Sequence, residues 1–319
     1  MTRRGAMSEA RILVCDPIHD EGVRMLREAG FDVDLETSIT GQELVERVGD
    51  YDAIVVRSRT KVTREVFEAS ERLRAVARAG VGLDNVDLEA ARERGVEVLN
   101  SPEAPSNAVA ELVLGLMLSL ARRIPLADAS MKRGEWIKRR LTGFELKGKT
   151  LGIIGFGRIG YNLAKKAKAM GMRVVTYDVV IEKLMQFVEE AGAESVSMED
   201  LLKESDFVSI HVPLLPQTRH MIGAREMEAM KDGAYLVNAA RGGVVDEEAL
   251  REALEGGKLA GAALDVFEVE PPGDTSLTGL ENFIALPHIG AATLEAQRAN
   301  STIVAEKLIR LFSDDQTSY

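Results

Sequence analysis

The chain has 319 residues with 40 Lys+Arg against 51 Asp+Glu, and its formal charge of -11 opposes long-range attraction to nucleic acid or anionic membranes. At ~150 residues per domain the length predicts two domains, and the single cysteine, Cys15, excludes an internal disulfide framework. The longest near-apolar stretch, from Ala108 to Ala121, is interrupted by Glu111 and falls short of the ~20 residues a membrane span needs, while Glu9, Arg11 and Asp16 break up any N-terminal signal core.

The expectation is a soluble, cytoplasmic, two-domain protein with no nucleic-acid or membrane partner and no need of a metal. In the first hundred residues, short β-rich apolar runs at 12–15, 31–35, 53–56, 75–77 and 96–99 alternate with helical windows. Among those windows are 21–29, closed by Gly30, and 63–69, with Thr63 as a candidate N-cap. Strand–helix alternation at this spacing implies parallel crossovers and helices on both faces of a sheet. Pro102 and Pro105 then punctuate the chain. The helix predicted over 106–123 is apolar almost all round, a pattern expected of a helix buried between domains or subunits. A second strand–helix series runs from Thr150 to about His288, and one long terminal helix is predicted over 294–312. The expected domains are 105–292 and a discontinuous one made of 1–104 with 293–319.

Gly155-Phe156-Gly157-Arg158-Ile159-Gly160 follows an apolar strand and opens a helical stretch stopped by Gly171. The next strand ends at Asp178, eighteen positions after Gly160, the spacing of a dinucleotide-binding βαβ unit. Gly155 permits the tight turn, Gly157 lets backbone approach a pyrophosphate, and Gly160 allows close helix–strand packing. The helix N-terminus offers free N–H groups to the phosphates. Asp178 is placed to accept from the ribose hydroxyls and to repel a 2′-phosphate, which favours NAD over NADP.

Four histidines are available for proton transfer. His19 and His220 lie in polar stretches and are expected to be solvated. His211 ends a strand before Val212-Pro213, a position suited to lining a cofactor groove. His288 ends another strand and is the candidate acid/base, against the alternative of a satisfied loop histidine. Arg241 sits in a small-residue loop where its fork can hold a carboxylate, or else pair with Asp246 or Glu247 on the surface. A carboxylate bonded to the histidine would orient it. Glu270, taken alone, is one acidic loop residue among many.

The ordered set Gly155–Gly160, Asn238-Ala239-Ala240-Arg241-Gly242-Gly243, Asp265-Val266-Phe267-Glu268-Val269-Glu270-Pro271 and Pro287-His288-Ile289-Gly290-Ala291 closely resembles the D-2-hydroxyacid dehydrogenases. Val55 to Val62 and Arg78 to Asp87 look most like the phosphoglycerate-oxidising branch of that family. The resemblance implies an α/β fold of two doubly wound parallel-sheet domains, a Rossmann NAD-binding domain inserted into a flavodoxin-like substrate domain. It implies hydride transfer between substrate C2 and nicotinamide C4, with Arg241 on the carboxylate, His288 as acid or base and Glu270 tuning it. Arg158, Ile159, His211, Val212, Pro213, Ala239, Ala240, Arg241, Asp265, His288, Gly290, Ala291 and Val81 would contact NAD, beside the glycines and Asp178. Arg57, Ser58, Arg78, Gly80, Val81 and Gly82, with Arg241 and His288, would bind substrate. A homodimer paired through the NAD-binding domain is expected.

The expected substrate is a phosphorylated 2-hydroxy acid, D-3-phosphoglycerate, oxidised to 3-phosphohydroxypyruvate. Phosphate needs cations, and Arg57, Arg59, Lys61 and Arg78 cluster in the segments that look substrate-facing. A second group, Lys132, Arg133, Lys138, Arg139 and Arg140 around Trp136, could reach across a dimer. Val81 departs from the small polar residue common in that branch. The competing readings are a glyoxylate or hydroxypyruvate reductase and an NAD-sensing corepressor-like interaction protein. With the sequence ending at Tyr319, no C-terminal regulatory domain and no serine inhibition through one are expected.

Overall fold

The computed structural model describes residues 10–273 and 276–314. The expectations for the N-terminal residues before Ala10 and for the stretch beyond Asp314 lie outside them. In chain order come β1 (Arg11–Val14), α1 (Asp20–Glu28), β2 (Asp32–Leu35), α2 (Gly41–Arg47), β3 (Ala53–Val56), α3 (Arg64–Glu68), β4 (Ala75–Arg78), α4 (Leu88–Glu93) and β5 (Glu97–Asn100). Then follow α5 (Ser106–Arg122), α6 (Ile124–Lys132), β6 (Thr150–Ile154), α7 (Arg158–Ala169), β7 (Arg173–Tyr177), α8 (Met185–Glu190), β8 (Glu194–Ser195), α9 (Met198–Glu204) and β9 (Phe207–Ile210). The chain ends with α10 (Ala224–Ala229), β10 (Ala234–Asn238), α11 (Glu247–Glu255), β11 (Leu259–Leu264), β12 (Phe283–Ala285) and α12 (Leu294–Asp314). Two units result, one of the described residues up to Pro105 with those from Ala291 onward, the other Ser106–Gly290.

Among the described residues the first unit holds a five-stranded parallel sheet in the order β2-β1-β3-β4-β5. This is the flavodoxin-like order, which reverses direction beside its first strand. Successive side chains alternate between two cores, as the period of two requires. Ile12, Val14, Val55 and Ala77 face α1 and α12, whereas Leu13, Ile54, Val56 and Val76 face Leu44, Phe67 and Ala90. With both faces covered, the inner strands β1, β3 and β4 read as nearly unbroken apolar runs, while the edge strands β2 and β5 carry polar residues. The terminal helix crosses α1 closely, since a Cβ on Gly22 would stand 2.7 Å from the Ser301 carbonyl oxygen. Phe312 meets Phe31 edge-on at 5.5 Å between ring centroids.

The second unit holds a seven-stranded parallel sheet, β12-β11-β10-β9-β6-β7-β8. Counted from β6, the order begins 3-2-1-4-5-6, the doubly wound dinucleotide arrangement with one strand added. Leu151, Ile153, Val174, Phe207 and Val237 fill one core, and Ile154, Val175, Val208, Ile210 and Leu236 the other. Helix α5 packs on α7, β10 and β11 through Val109, Val113, Leu116 and Leu120. Within this unit its burial is one-sided: Leu114 and Leu118 are half-buried, while Glu111 and Gly115 are exposed.

One local expectation is corrected, and one helix is unexpected. Thr63 occupies the N-cap position of α3 with extended backbone, but its side chain makes no capping hydrogen bond. Helix α2 is absent from the sequence reading because it buries little more than Leu44. It is held instead by a capping box in which Thr40 Oγ1 accepts from Glu43 N and Thr40 N donates to Glu43 Oε2.

Candidate active site

The glycine loop between β6 and α7 uses each glycine differently. Gly155 has φ +92°, and a Cβ there would stand 3.0 Å from the His211 carbonyl carbon and from Val212. Gly160 brings α7 against the loop, since its Cβ would lie 2.6 Å from the Gly155 oxygen. Gly157 is the N-cap of α7 in extended conformation, with no side chain capping the helix and open space where a Cβ would be. Uncapped N–H groups at the positive end of a twelve-residue helix, facing free volume, suit a pyrophosphate. At the end of β7, Asp178 Oδ2 accepts from Phe156 N at 2.8 Å and Oδ1 from Val180 N at 2.9 Å. These two bonds fix the carboxylate beside the glycine loop with lone pairs remaining for ribose hydroxyls. These donors, this acceptor and this space fit NAD.

The ends of β9, β10, β11 and β12 gather the remaining candidates of this unit. After β9, His211 Nε2 lies 2.8 Å from Ser209 Oγ, while Nδ1 is buried without a partner. Burial pushes this imidazole down to about 4, so it is neutral at pH 7. At the end of β10, buried Asn238 accepts from Ala240 N at 3.0 Å and donates to Arg241 O at 2.9 Å, which shapes the loop that presents Arg241. The Arg241 guanidinium donates to Ala240 O at 2.7 Å. Gly242 is obligatory there, because a Cβ would sit 1.8 Å from Phe267 O.

After β11, buried Asp265 accepts from Ile289 N at 2.8 Å and Gly290 N at 2.7 Å. Burial pushes its carboxyl up, and those two donors with nearby His288 pull it back. Asp265 thereby holds the segment after β12 on which His288 takes φ +54°. His288 Nδ1 lies 2.7 Å from Glu270 Oε2, and Glu270 Oε1 accepts from Phe267 N at 3.1 Å. A carboxylate can only accept, so Nδ1 carries the proton and Nε2 is left for a reacting oxygen.

In the first unit, buried Asp16 at the end of β1 organises the segment after β3. It accepts from Arg57 N at 2.5 Å and from Thr60 Oγ1 at 2.9 Å, and pairs with Arg59 Nε at 2.9 Å. Arg59 also donates to the carbonyls of Cys15 and Ile39, contacts that brace the fold. Arg57 lines a cavity of about 120 Å³ with His19, Ala79 and Gln297, and Ser58 is exposed. Gly80, at φ +157°, lies beneath the Arg78 guanidinium, and the backbone of 80–81 is held by Ser101 N and Asn100 Nδ2. Three members of the second basic group are paired within the unit: Lys132 with Asp128, Arg133 with Glu135 and Arg140 with Glu281. Their ion pairs make them a partnered surface.

Sequence reasoning missed Asp16, Asn238 and His19. The first two lie at or just beyond strand ends, the signal that singled out Asp178 and His288. His19 accepts from Glu21 N as the N-cap of α1 and lines the cavity beside Arg57, a placement that only the return of α12 creates.

No helix among the described residues is long and apolar enough to cross a membrane. Residues 114–290 match the D-isomer specific 2-hydroxyacid dehydrogenase, NAD binding domain. A D-3-phosphoglycerate dehydrogenase from Methanocaldococcus jannaschii is 53% identical over 93% of this chain, which spans 56% of that relative's length. A hydroxypyruvate reductase from Thermotoga maritima is 46% identical over 95% of this chain and 99% of its own. The solved structure of the TT0316 protein from Thermus thermophilus superimposes with a TM-score of 0.84 at 37% identity, covering 95% of this chain and 97% of that one. A glycine loop built for a dinucleotide and a sheet of this order thus coincide with a family match over more than half the chain, and the protein belongs to the D-isomer-specific 2-hydroxyacid dehydrogenases.

Proposed function

We propose that the protein interconverts D-3-phosphoglycerate and 3-phosphohydroxypyruvate with NAD, and that the Glu270–His288 pair carries the proton. The supporting observation is the 2.7 Å contact of His288 Nδ1 with Glu270, which leaves Nε2 to take the C2 hydroxyl proton on oxidation and return it on reduction. When bound, NAD supplies the hydride acceptor, and NADH the donor. Glu270 stabilises the imidazolium that forms and holds the ring's orientation. Arg241 binds the substrate carboxylate and polarises the adjacent carbonyl, and Asp265 keeps His288 in place through the backbone of 289–290. Arg57, Ser58, Arg78 and the backbone of Gly80–Gly82 are assigned to the rest of the substrate, with Arg57 on the phosphate. Arg158, Ile159, His211, Val212, Pro213, Ala239, Ala240, Gly290, Ala291 and Val81 complete the NAD contacts, and Asp178 selects NAD over NADP.

The same reading makes the protein a cytoplasmic homodimer joined through the Ser106–Gly290 unit. Trp136, 78% exposed, and Met131 border a groove of about 750 Å³ there, apolar surface that a second copy would cover. A second reading, reduction of unphosphorylated 2-oxoacids, is favoured by the hydroxypyruvate reductase relative that matches over nearly its full length.

NADH oxidation with 3-phosphohydroxypyruvate, hydroxypyruvate and glyoxylate decides between them. The expected result is a kcat/KM preference of about 100-fold for the phosphorylated acid, lost in Arg57→Ala, as removal of a charge-assisted contact implies. Equal or better rates with the unphosphorylated acids would overturn the substrate assignment. Absence of turnover with NADH still bound would overturn the enzymatic one.

A further inference from the structure

We propose that His220 is a positioning residue for the Glu270–His288 pair, tying the loop that carries Arg241 to the loop that carries Glu270. The inference rests on the proposed role of that pair. His220 lies on the segment between β9 and α10 and makes one bond to each loop. Its backbone N donates to Gly243 O at 2.8 Å, and its imidazole Nε2 lies 3.0 Å from Glu268 Oε1. Because the carboxylate accepts, Nε2 carries the proton, and the bond exists for the neutral ring and the imidazolium alike. His220 has φ +50°, a left-handed conformation that His, Asn and Asp adopt more readily than most residues.

The two loops already touch without intervening side chains, since Gly242 abuts the Phe267 carbonyl. The peptide after that carbonyl is doubly held: Glu268 N donates to Glu247 Oε1 at 2.6 Å, and the Glu268 side chain reaches His220. One residue earlier, Phe267 N donates to Glu270 Oε1, whose other oxygen meets His288. A displacement of Glu268 is therefore transmitted within two residues to the carboxylate that orients His288. Displacement is favoured once His220 is lost, because Asp246, Glu247 and Glu268 bring three carboxylates together. Asp246 Oδ2 lies 3.9 Å from His220 Nδ1, and burial together with those negative neighbours pushes the Glu247 carboxyl up. Arg219, adjacent in sequence, brings a positive charge within 3.5 Å of where a Cβ on Gly243 would stand.

Three variants test the role in the full-length protein. His220→Asn retains the left-handed backbone but shortens the donor, His220→Gln restores a donor at similar reach, and Glu268→Ala removes the acceptor. In His220→Asn and Glu268→Ala, kcat should fall about fivefold to tenfold with KM for NADH unchanged. The double variant should be no worse than either single one, and His220→Gln should recover most of the rate. A second readout needs no substrate. The His288 Nδ1 proton, assigned in the proton NMR spectrum by its loss in His288→Asn, should shift in His220→Asn and return in His220→Gln. An unshifted resonance in His220→Asn overturns the inference whatever the activity. A shifted resonance in a protein that turns over none of the three acids supports the positioning role and overturns the proposed function instead.

Discussion

Two histidines follow strand ends of the same sheet and meet opposite surroundings. His288 is half exposed and bonded to Glu270, whereas the Nδ1 of His211 is buried without a partner. Only the first is held by a carboxylate with its second nitrogen left for a reacting oxygen, so His288→Asn should lower kcat by about 10²- to 10⁴-fold while fluorescence titration shows NADH binding retained. Unchanged turnover would remove His288 from the reaction. His211 makes a different prediction, about stability. Its imidazole is depressed from 6.5 to about 4 in the folded protein, so the unfolded chain binds a proton that the folded one refuses. The stability associated with neutral His211 is complete above pH 6.5 and is lost as pH falls toward 4, by at most about 3 kcal/mol. Urea unfolding without cofactor at pH 7.5 and pH 4.5 should show a smaller acid loss for His211→Gln than for the parent chain. Equal losses would place the acid sensitivity elsewhere.

At the scale of elements, the inner strands were legible because both faces of each sheet are covered and their apolar runs are nearly unbroken, whereas the two-residue exposed edge strand β8 left no signal. The glycine loop was legible because its spacing encodes one strand–turn–helix geometry. Helix α2 was not, since a capping box and one buried leucine leave no apolar stripe to read. The packing of one loop against another was equally hidden. Gly242 looks like one more loop glycine until Phe267 O is seen in the space of its missing Cβ. Gly242→Ala should therefore lower stability by about 1–3 kcal/mol, read as a fall in melting temperature, and reduce kcat because Arg241 and Glu270 sit on the two loops forced apart. A variant with parental melting temperature and rate would show that the loops yield without consequence.

For the whole molecule, the groove beside Trp136 bears on assembly. Light scattering at micromolar concentration should give about twice 34.8 kDa, and Trp136→Asp should shift the population toward monomer by placing a charge on apolar surface. A parent chain that is monomeric at these concentrations would sink the homodimer. The sequence by itself determined the α/β class, the two strand series and the dinucleotide loop, because each is written in local periodicity or fixed spacing. It also marked Arg241 and His288 as candidates at strand ends, and Glu270 through the resemblance to a family. Only the tertiary structure decided which groups meet. It set Glu270 on His288 across eighteen residues, tied Arg59 to the carbonyl of Ile39 across twenty, and brought His220 to Glu268 across forty-eight. Contacts between distant loops depend on strand order and register, and a linear pattern of residues carries neither.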